Sequence, residues 1–185
     1  MDVVLPPESA NVALLHSDAE RLSPPWHISE QGRSFIAAFE GLRLAAYADS
    51  AGVWTIGIGH VRNVRPGMKI TLEEAYRFFA EDIAPVEQTL SSSVVCPLAQ
   101  HEVDALCSFI FNLGSGAFRR SALLRCLNRG DRDAASDQFL RWNKARDVRT
   151  GKLREVPGLT RRRQCERLLF RTGVYSTDIQ VPKKG

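Results

Sequence analysis

Cysteine is scarce and scattered in this chain of 185 residues, with Cys96, Cys107, Cys126 and Cys165 lying far apart. None forms the close pair that structural metal sites use, and three fall within apolar helical patterns, so reduced core thiols are expected. Long apolar runs are missing too, and no stretch approaches the roughly 18 residues of a membrane-spanning helix. The opening Met-Asp-Val-Val-Leu-Pro-Pro-Glu has neither a basic n-region nor a sustained apolar segment, which argues against a secretory leader and for a start in the cytoplasm. Gly57 and Gly59 lack the Lys-Ser/Thr pair and following helix of a phosphate loop, so nucleotide binding is set aside. There is no internal repeat.

The composition, 44% hydrophobic and 25% charged, is that of a soluble globular protein with one full core or one compact domain in two small lobes. The net charge of +4 hides an asymmetry. Residues 1–118 hold 7 Lys+Arg against 14 Asp+Glu, whereas residues 119–185 hold 18 against 7, so the two parts carry −7 and +11. Residues 1–27, with Pro6, Pro7, Pro24 and Pro25, read as an arm that is flexible or packed on the body. Residues 28–175 read as the domain, and residues 176–185 as an irregular tail.

Within that domain, Ser29 is positioned to cap a helix ending near Gly41, and Thr71-Leu-Glu-Glu74 forms a capping box. Pro85 should kink the second helix or start a new turn. Pro97 fits a first helical position, ahead of an apolar helix that Gly114 stops. Ser121 and Asp131 cap two short helices, the second carrying Phe139, Leu140 and Trp142. Residues 143–158 suggest a loop or small hairpin, and Thr160 starts a last helix ended by Gly173. The fold class expected is α+β, mostly α, with a hairpin segment preceding a helical bundle.

The most informative stretch runs from Phe39 to His60. Apolar residues at Ile28, Phe35, Ile36, Phe39 and Leu42 keep near-helical spacing, which makes Glu40 a helix-end carboxylate. Beyond Leu44 the pattern shortens to alternation, with Trp54, Ile56 and Ile58 on one face, so Asp49 belongs to a hairpin. Two carboxylates in different settings suit glycosidic hydrolysis, where one gives a proton to the leaving oxygen and the other acts on the opposite face of the sugar. Apolar neighbours at Phe39 and Leu42 favour a protonated Glu40, while a hairpin aspartate near Thr55 stays ionised. Alone, such a pair is weak evidence, since most are solvated surface charges.

The order of residues adds to it. Glu40-Gly-Leu-Arg43, Ala46-Tyr-Ala-Asp49, Gly52 and Thr55-Ile-Gly-Ile-Gly-His60 resemble the catalytic signature of the phage-type lysozymes, the endolysins of glycoside hydrolase family 24. The resemblance continues through Phe111-Asn-Leu-Gly114, Ser121-Ala-Leu-Leu124, Leu127-Asn-Arg-Gly130, Phe139 to Trp142, and Pro157-Gly-Leu-Thr-Arg-Arg-Arg163 to Glu166. It implies a lysozyme-like fold with a small hairpin lobe, a larger helical lobe and a cleft between them. It also implies Glu40 as general acid, Asp49 as second carboxylate and Thr55 as the hydroxyl that helps place water. The bond cut would join N-acetylmuramic acid to N-acetylglucosamine by a β-1,4 linkage in peptidoglycan, without metal or cofactor. Many members invert the anomeric centre.

Further residues carry competing readings. His60 is expected to be structural, paired with an acid such as Asp82. Asn112 and Ser121 match positions lining the family's saccharide cleft, although Asn112 also suits a helix cap. Arg43 would either orient Glu40 or bridge to another helix, with structural use favoured. Trp54 and Trp142 suit the core better than sugar stacking, and Gly57 and Gly59 would let a glycan pass close to the strand. Arg161-Arg-Arg163 and Lys183-Lys184 invite a nucleic-acid reading, but no DNA-binding signature accompanies them. An arginine run on a helix is usually a solvated face, and an anionic envelope offers the basic part a target. The expected protein is a monomeric endolysin that depends on a holin-type membrane lesion to leave the cytoplasm. Rival readings are a non-catalytic envelope-binding or virion structural protein on the same fold, and a lytic transglycosylase.

Overall fold

The computed structural model describes residues 24–49, 52–147 and 150–179. The expected N-terminal arm lies outside the described residues up to residue 23, as does the expected tail from residue 180 onward. In chain order the elements are α1 (Glu30–Glu40), β1 (Arg43–Ala48), β2 (Trp54–Gly57), α2 (Leu72–Ser93), α3 (Gln100–Leu113), α4 (Ser115–Arg120), α5 (Ala122–Asn128), α6 (Arg132–Phe139), β3 (Lys144–Arg146), β4 (Leu153–Glu155) and α7 (Pro157–Thr172). The mostly helical α+β class is the one expected.

Local chemistry sets most boundaries. Ser29 Oγ accepts the Gly32 N–H at 3.0 Å and starts α1. At α2, Thr71 Oγ1 accepts from Glu74 N at 3.1 Å while Glu74 accepts from Thr71 N at 2.8 Å, the reciprocal box read from the sequence. Asp131 accepts from Ala134 N and starts α6. Of the two expectations for Pro85, a new turn is excluded, because α2 runs through it as a single helix of 22 residues. Two expectations need correction. Pro97 is not the first helical position: α3 begins at Gln100, where the buried Glu102 reaches back to the Ala99 N–H at 2.9 Å. The last helix begins at Pro157 rather than Thr160, since the fixed φ of proline already suits a first turn.

The axis of the larger lobe is α3, which packs against α1, α2, α4 and α7. Val103, Ala105, Leu106, Cys107 and Phe109 are all fully buried, so this helix is enclosed on every side. Trp26 is buried in the same core, and its N–H reaches Ser91 Oγ at 3.0 Å. At Trp26 the expected arm is thus packed on the body. Trp142 meets Phe109 edge-on with ring centroids 5.7 Å apart, as expected of a core residue. The described cysteines are free thiols, and burial pushes Cys107 and Cys165 up.

One fully buried carboxylate ties the ends of the body together. Asp104 accepts from Ser29 N and Gln100 Nε2, each at 2.9 Å, from Ser29 Oγ, and from Tyr175 OH at 2.5 Å. Burial, aided by Asp104, pushes the Tyr175 phenol up to about 12.

The smaller lobe hangs on the antiparallel β1–β2 pair, with Tyr47 opposite Thr55, Ala48 opposite Trp54 and an irregular register between Arg43 and Tyr47. Its buried apolar residues are Ile56, Ile70 and Ala75, with Ala46, Val64, Met68 and Phe78 half-buried around them. The segment over 143–158 forms a second, exposed hairpin, β3 against β4.

Candidate active site

Glu40 is the last residue of α1, where the helix hands over to the hairpin. Its carboxylate is held from the helical lobe by Arg162 on α7, with Nη1 at 2.6 Å from Oε1. The Arg162 side chain is 5% exposed, against 20% for Glu40, so a buried cation presents an acid that still reaches solvent. The Arg162 guanidinium also lies 5.1 Å over the Phe39 ring.

From the other side the hairpin comes close. Gly59 sits at φ +74, and a β-carbon there would lie 3.3 Å from Glu40 Oε2 and 3.4 Å from Phe111 Cε1. Glycine suits both the left-handed backbone and the approach to the carboxylate. The structure thus brings Glu40 against the small lobe through Gly59, a residue the sequence marked for permissive packing against a glycan rather than against the acid.

Asp49 lies at the hairpin turn. Its Oδ1 accepts the Val53 N–H at 2.8 Å, its own N–H reaches the Val53 carbonyl at 2.9 Å, and its carbonyl accepts from Gly52 N at 3.0 Å. Thr55 is buried on β2 and donates its hydroxyl to the Val53 carbonyl at 3.2 Å, leaving oxygen lone pairs to accept. Asp49 and Thr55 therefore share one short, self-bonded element.

Behind Glu40 is a charge cluster inside the protein. Glu166 Oε1 accepts from Ser108 Oγ at 2.7 Å, Arg163 Nη2 at 2.8 Å and Arg162 Nε at 3.1 Å. Arg163 Nη2 also reaches Asn112 Oδ1 at 3.1 Å, and its guanidinium lies over Phe109. Burial pulls Arg163 below its usual value, opposed by Glu166. Two arginines of the run thus leave the solvated face: Arg162 is 4% exposed and Arg163 is fully buried, as is Glu166, whereas Arg161 stays exposed. The available signal was the i,i+4 and i,i+3 spacing of Arg162 and Arg163 to Glu166 on a helix that buries Cys165 and Leu169.

The remaining expected residues have definite places. His60 is buried, with Nδ1 2.7 Å from Asp82 and Nε2 2.9 Å from the Arg62 carbonyl, and it stacks on Phe78. Nδ1 ties the hairpin lobe to α2 through Asp82, while Nε2 bonds within the lobe. Arg43 is exposed on β1 and lies over the Tyr47 ring; the cation paired with Glu40 is Arg162 instead. Ser121 is 2% exposed, and its hydroxyl accepts the Leu124 N–H as the cap of α5, the capping role also read from the sequence. Asn112 stays half-buried, its carbonyl oxygen turned to Arg163.

Known proteins are similar to this chain over most of its length. The phage lysozyme family profile matches residues 37–166. The chain is 48% identical over 144 residues to an endolysin of Acyrthosiphon pisum secondary endosymbiont phage 1, covering 78% of this chain and 97% of that protein. It is 45% identical over 148 residues to the endolysin of Salmonella phage P22, covering 77% and 97%. The solved structure of an endolysin from Escherichia coli O157:H7 phage FAHEc1 superposes with a TM-score of 0.79 at 34% identity, covering 84% of this chain and 99% of that one. The chain belongs to the phage lysozyme family. That makes it a glycoside hydrolase of the lysozyme type.

Proposed function

We propose that this protein is an endolysin that hydrolyses the β-1,4 bond between N-acetylmuramic acid and N-acetylglucosamine in peptidoglycan, in a cleft between its two lobes. The observation that carries the reading is the setting of Glu40: a partly exposed carboxyl at a helix end, fixed by Arg162 and bordered by the hairpin at Gly59. Glu40 gives its proton to the leaving glycosidic oxygen. Asp49 and the Thr55 hydroxyl hold the water that attacks the opposite face, which makes inversion the expected outcome. Asn112 stands beside them as a saccharide contact.

Retention of Glu40, Asp49 and Thr55 together favours hydrolysis over a binding-only role, which has no chemical use for all three. Among the described residues no helix is long and apolar enough to cross a membrane. In the setting proposed, the protein acts as a monomer, collects in the host cytoplasm and reaches the wall through a holin-type lesion. Its basic C-terminal part adds salt-sensitive attraction to the anionic envelope.

Release of reducing ends from purified peptidoglycan tests the chemistry. Glu40→Gln keeps the shape and removes the proton donor, so turnover should fall by about 10²–10⁴-fold. Equal activity in the two proteins would sink the mechanism, and anhydro-muramic ends in the product masses would assign transglycosylation instead.

A further inference from the structure

Glu166 is fully buried, and it collects three donors on one oxygen from Ser108, Arg162 and Arg163. Packing two guanidiniums and a carboxylate inside a helical core is a poor way to gain stability, because apolar side chains of similar volume avoid the desolvation of the ions. The cluster sits directly behind Glu40 and is joined to it through Arg162 Nη1. We propose that Arg163 and Glu166 form a buried charge pair that sets how firmly Glu40 holds its proton, with Arg162 passing the effect to the carboxylate. The proposal rests on the reading of Glu40 as the proton donor.

Charge balance sets the sign of the effect. Arg162 and Arg163 against Glu166 leave one net positive charge facing Glu40 from α7. Arg162 alone, without a buried anion to share its charge, would favour the ionised form of its partner and leave a poor acid. Glu166 draws on Arg162 through Nε, on the opposite edge of the guanidinium from the Nη1 that meets Glu40. In a low-dielectric interior such charges act over the length of the cluster. Arg163 responds to both Glu166 and Glu40, which agrees with one coupled group.

From α3, Ser108 and Asn112 lie behind Glu40 against Arg162 and Arg163, and neither titrates. From the hairpin lobe Gly59 comes close to the carboxylate. Of the ionisable groups in that lobe, His60 meets Asp82, Asp49 accepts the Val53 N–H and Arg43 lies over the Tyr47 ring.

Three full-length variants test the balance: Glu166→Gln, Arg163→Met and the two combined. Two measurements are made on each, the pH–rate profile on purified peptidoglycan and the titration of the ¹³C-labelled Glu40 carboxyl by NMR, assigned by its loss in Glu40→Gln. Removing the anion should move the alkaline limb and the Glu40 titration to lower pH by about half to one unit. Removing the cation should move both upward by a similar amount, and the double variant should return close to wild type. Glu166→Asp, which keeps the charge, should leave the limb in place even where stability drops.

Loss of rate or stability in both single variants with an unmoved limb, or shifts in the same direction, would overturn the proposal. Should Glu166→Gln fail to fold, Arg163→Met decides by itself, since an unmoved limb there refutes the coupling. Full activity in Glu40→Gln would overturn the acid assignment, while the NMR titration would still report on the charge pair.

Discussion

The residues packed around α3 and those beneath the β1–β2 hairpin are held by different means. The helical lobe encloses α3 from Glu102 to Ile110 and adds a chain of edge-on aromatic contacts from Phe118 and Trp142 to Phe109 and Phe139. The hairpin lobe has a small cluster of its own in Ile56, Ile70 and Ala75, lends Ile58 to the larger core and adds polar ties. Backbone bonds of 2.9 Å join Ala46 N to the Met68 carbonyl and Ile70 N to the Leu44 carbonyl, and His60 clamps the lobe to α2 through Asp82. A lobe with so little apolar burial opens at lower free energy than the body. The groups proposed to react divide along the same line, with Glu40 anchored in the larger lobe and Asp49 and Thr55 carried by the hairpin.

The largest stability effect should come from hollowing the rigid part. Leu106→Ala removes a fully buried side chain at its centre and should cost about 3–5 kcal/mol in chemical denaturation. A cost below about 2 kcal/mol would contradict the picture of α3 as the axis. Ile70→Ala should cost about 2 kcal/mol, at the low end for such a change, because its small cluster is edged by half-buried residues that can relax. Amide exchange should then quicken over 43–70 while α3 stays protected; uniform acceleration would erase the distinction between the lobes.

A smaller expected cost falls where the lobes meet. Gly59→Ala places a methyl group against the Glu40 carboxylate at a positive φ, and should destabilise by about 1–2 kcal/mol. Turnover should drop far more than stability, because the acid is displaced by the group that borders it. Unchanged turnover with the same loss of stability would show that the hairpin's approach does not position Glu40. Least is expected of the exposed hairpin, where Arg146→Ser should alter stability by less than about 0.5 kcal/mol. That change should weaken adsorption to isolated walls at low salt only, and a loss persisting in high salt would exclude the electrostatic account.

Much of this was legible in the sequence. Caps are local: Ser29, Thr71 with Glu74, Ser121 and Asp131 each bond within three residues, so neighbours alone predict them. The same locality explains the errors. Pro97 has the right chemistry for a helix start, yet Glu102 caps Ala99 and starts α3 later. What locality does not reach is the cation of Glu40: Arg162 lies 122 residues away.

From the sequence by itself come the fold class, the family and the proposal of Glu40, Asp49 and Thr55 as the reacting groups, because periodicity and motif order are properties of the chain. Only the tertiary structure decides that Arg162, Arg163 and Glu166 leave solvent and gather behind Glu40. An exposed arginine run and a buried one look alike in sequence. Burying these charges becomes tolerable when α7 packs on α3, bringing Ser108 and Asn112 within hydrogen-bond reach of them.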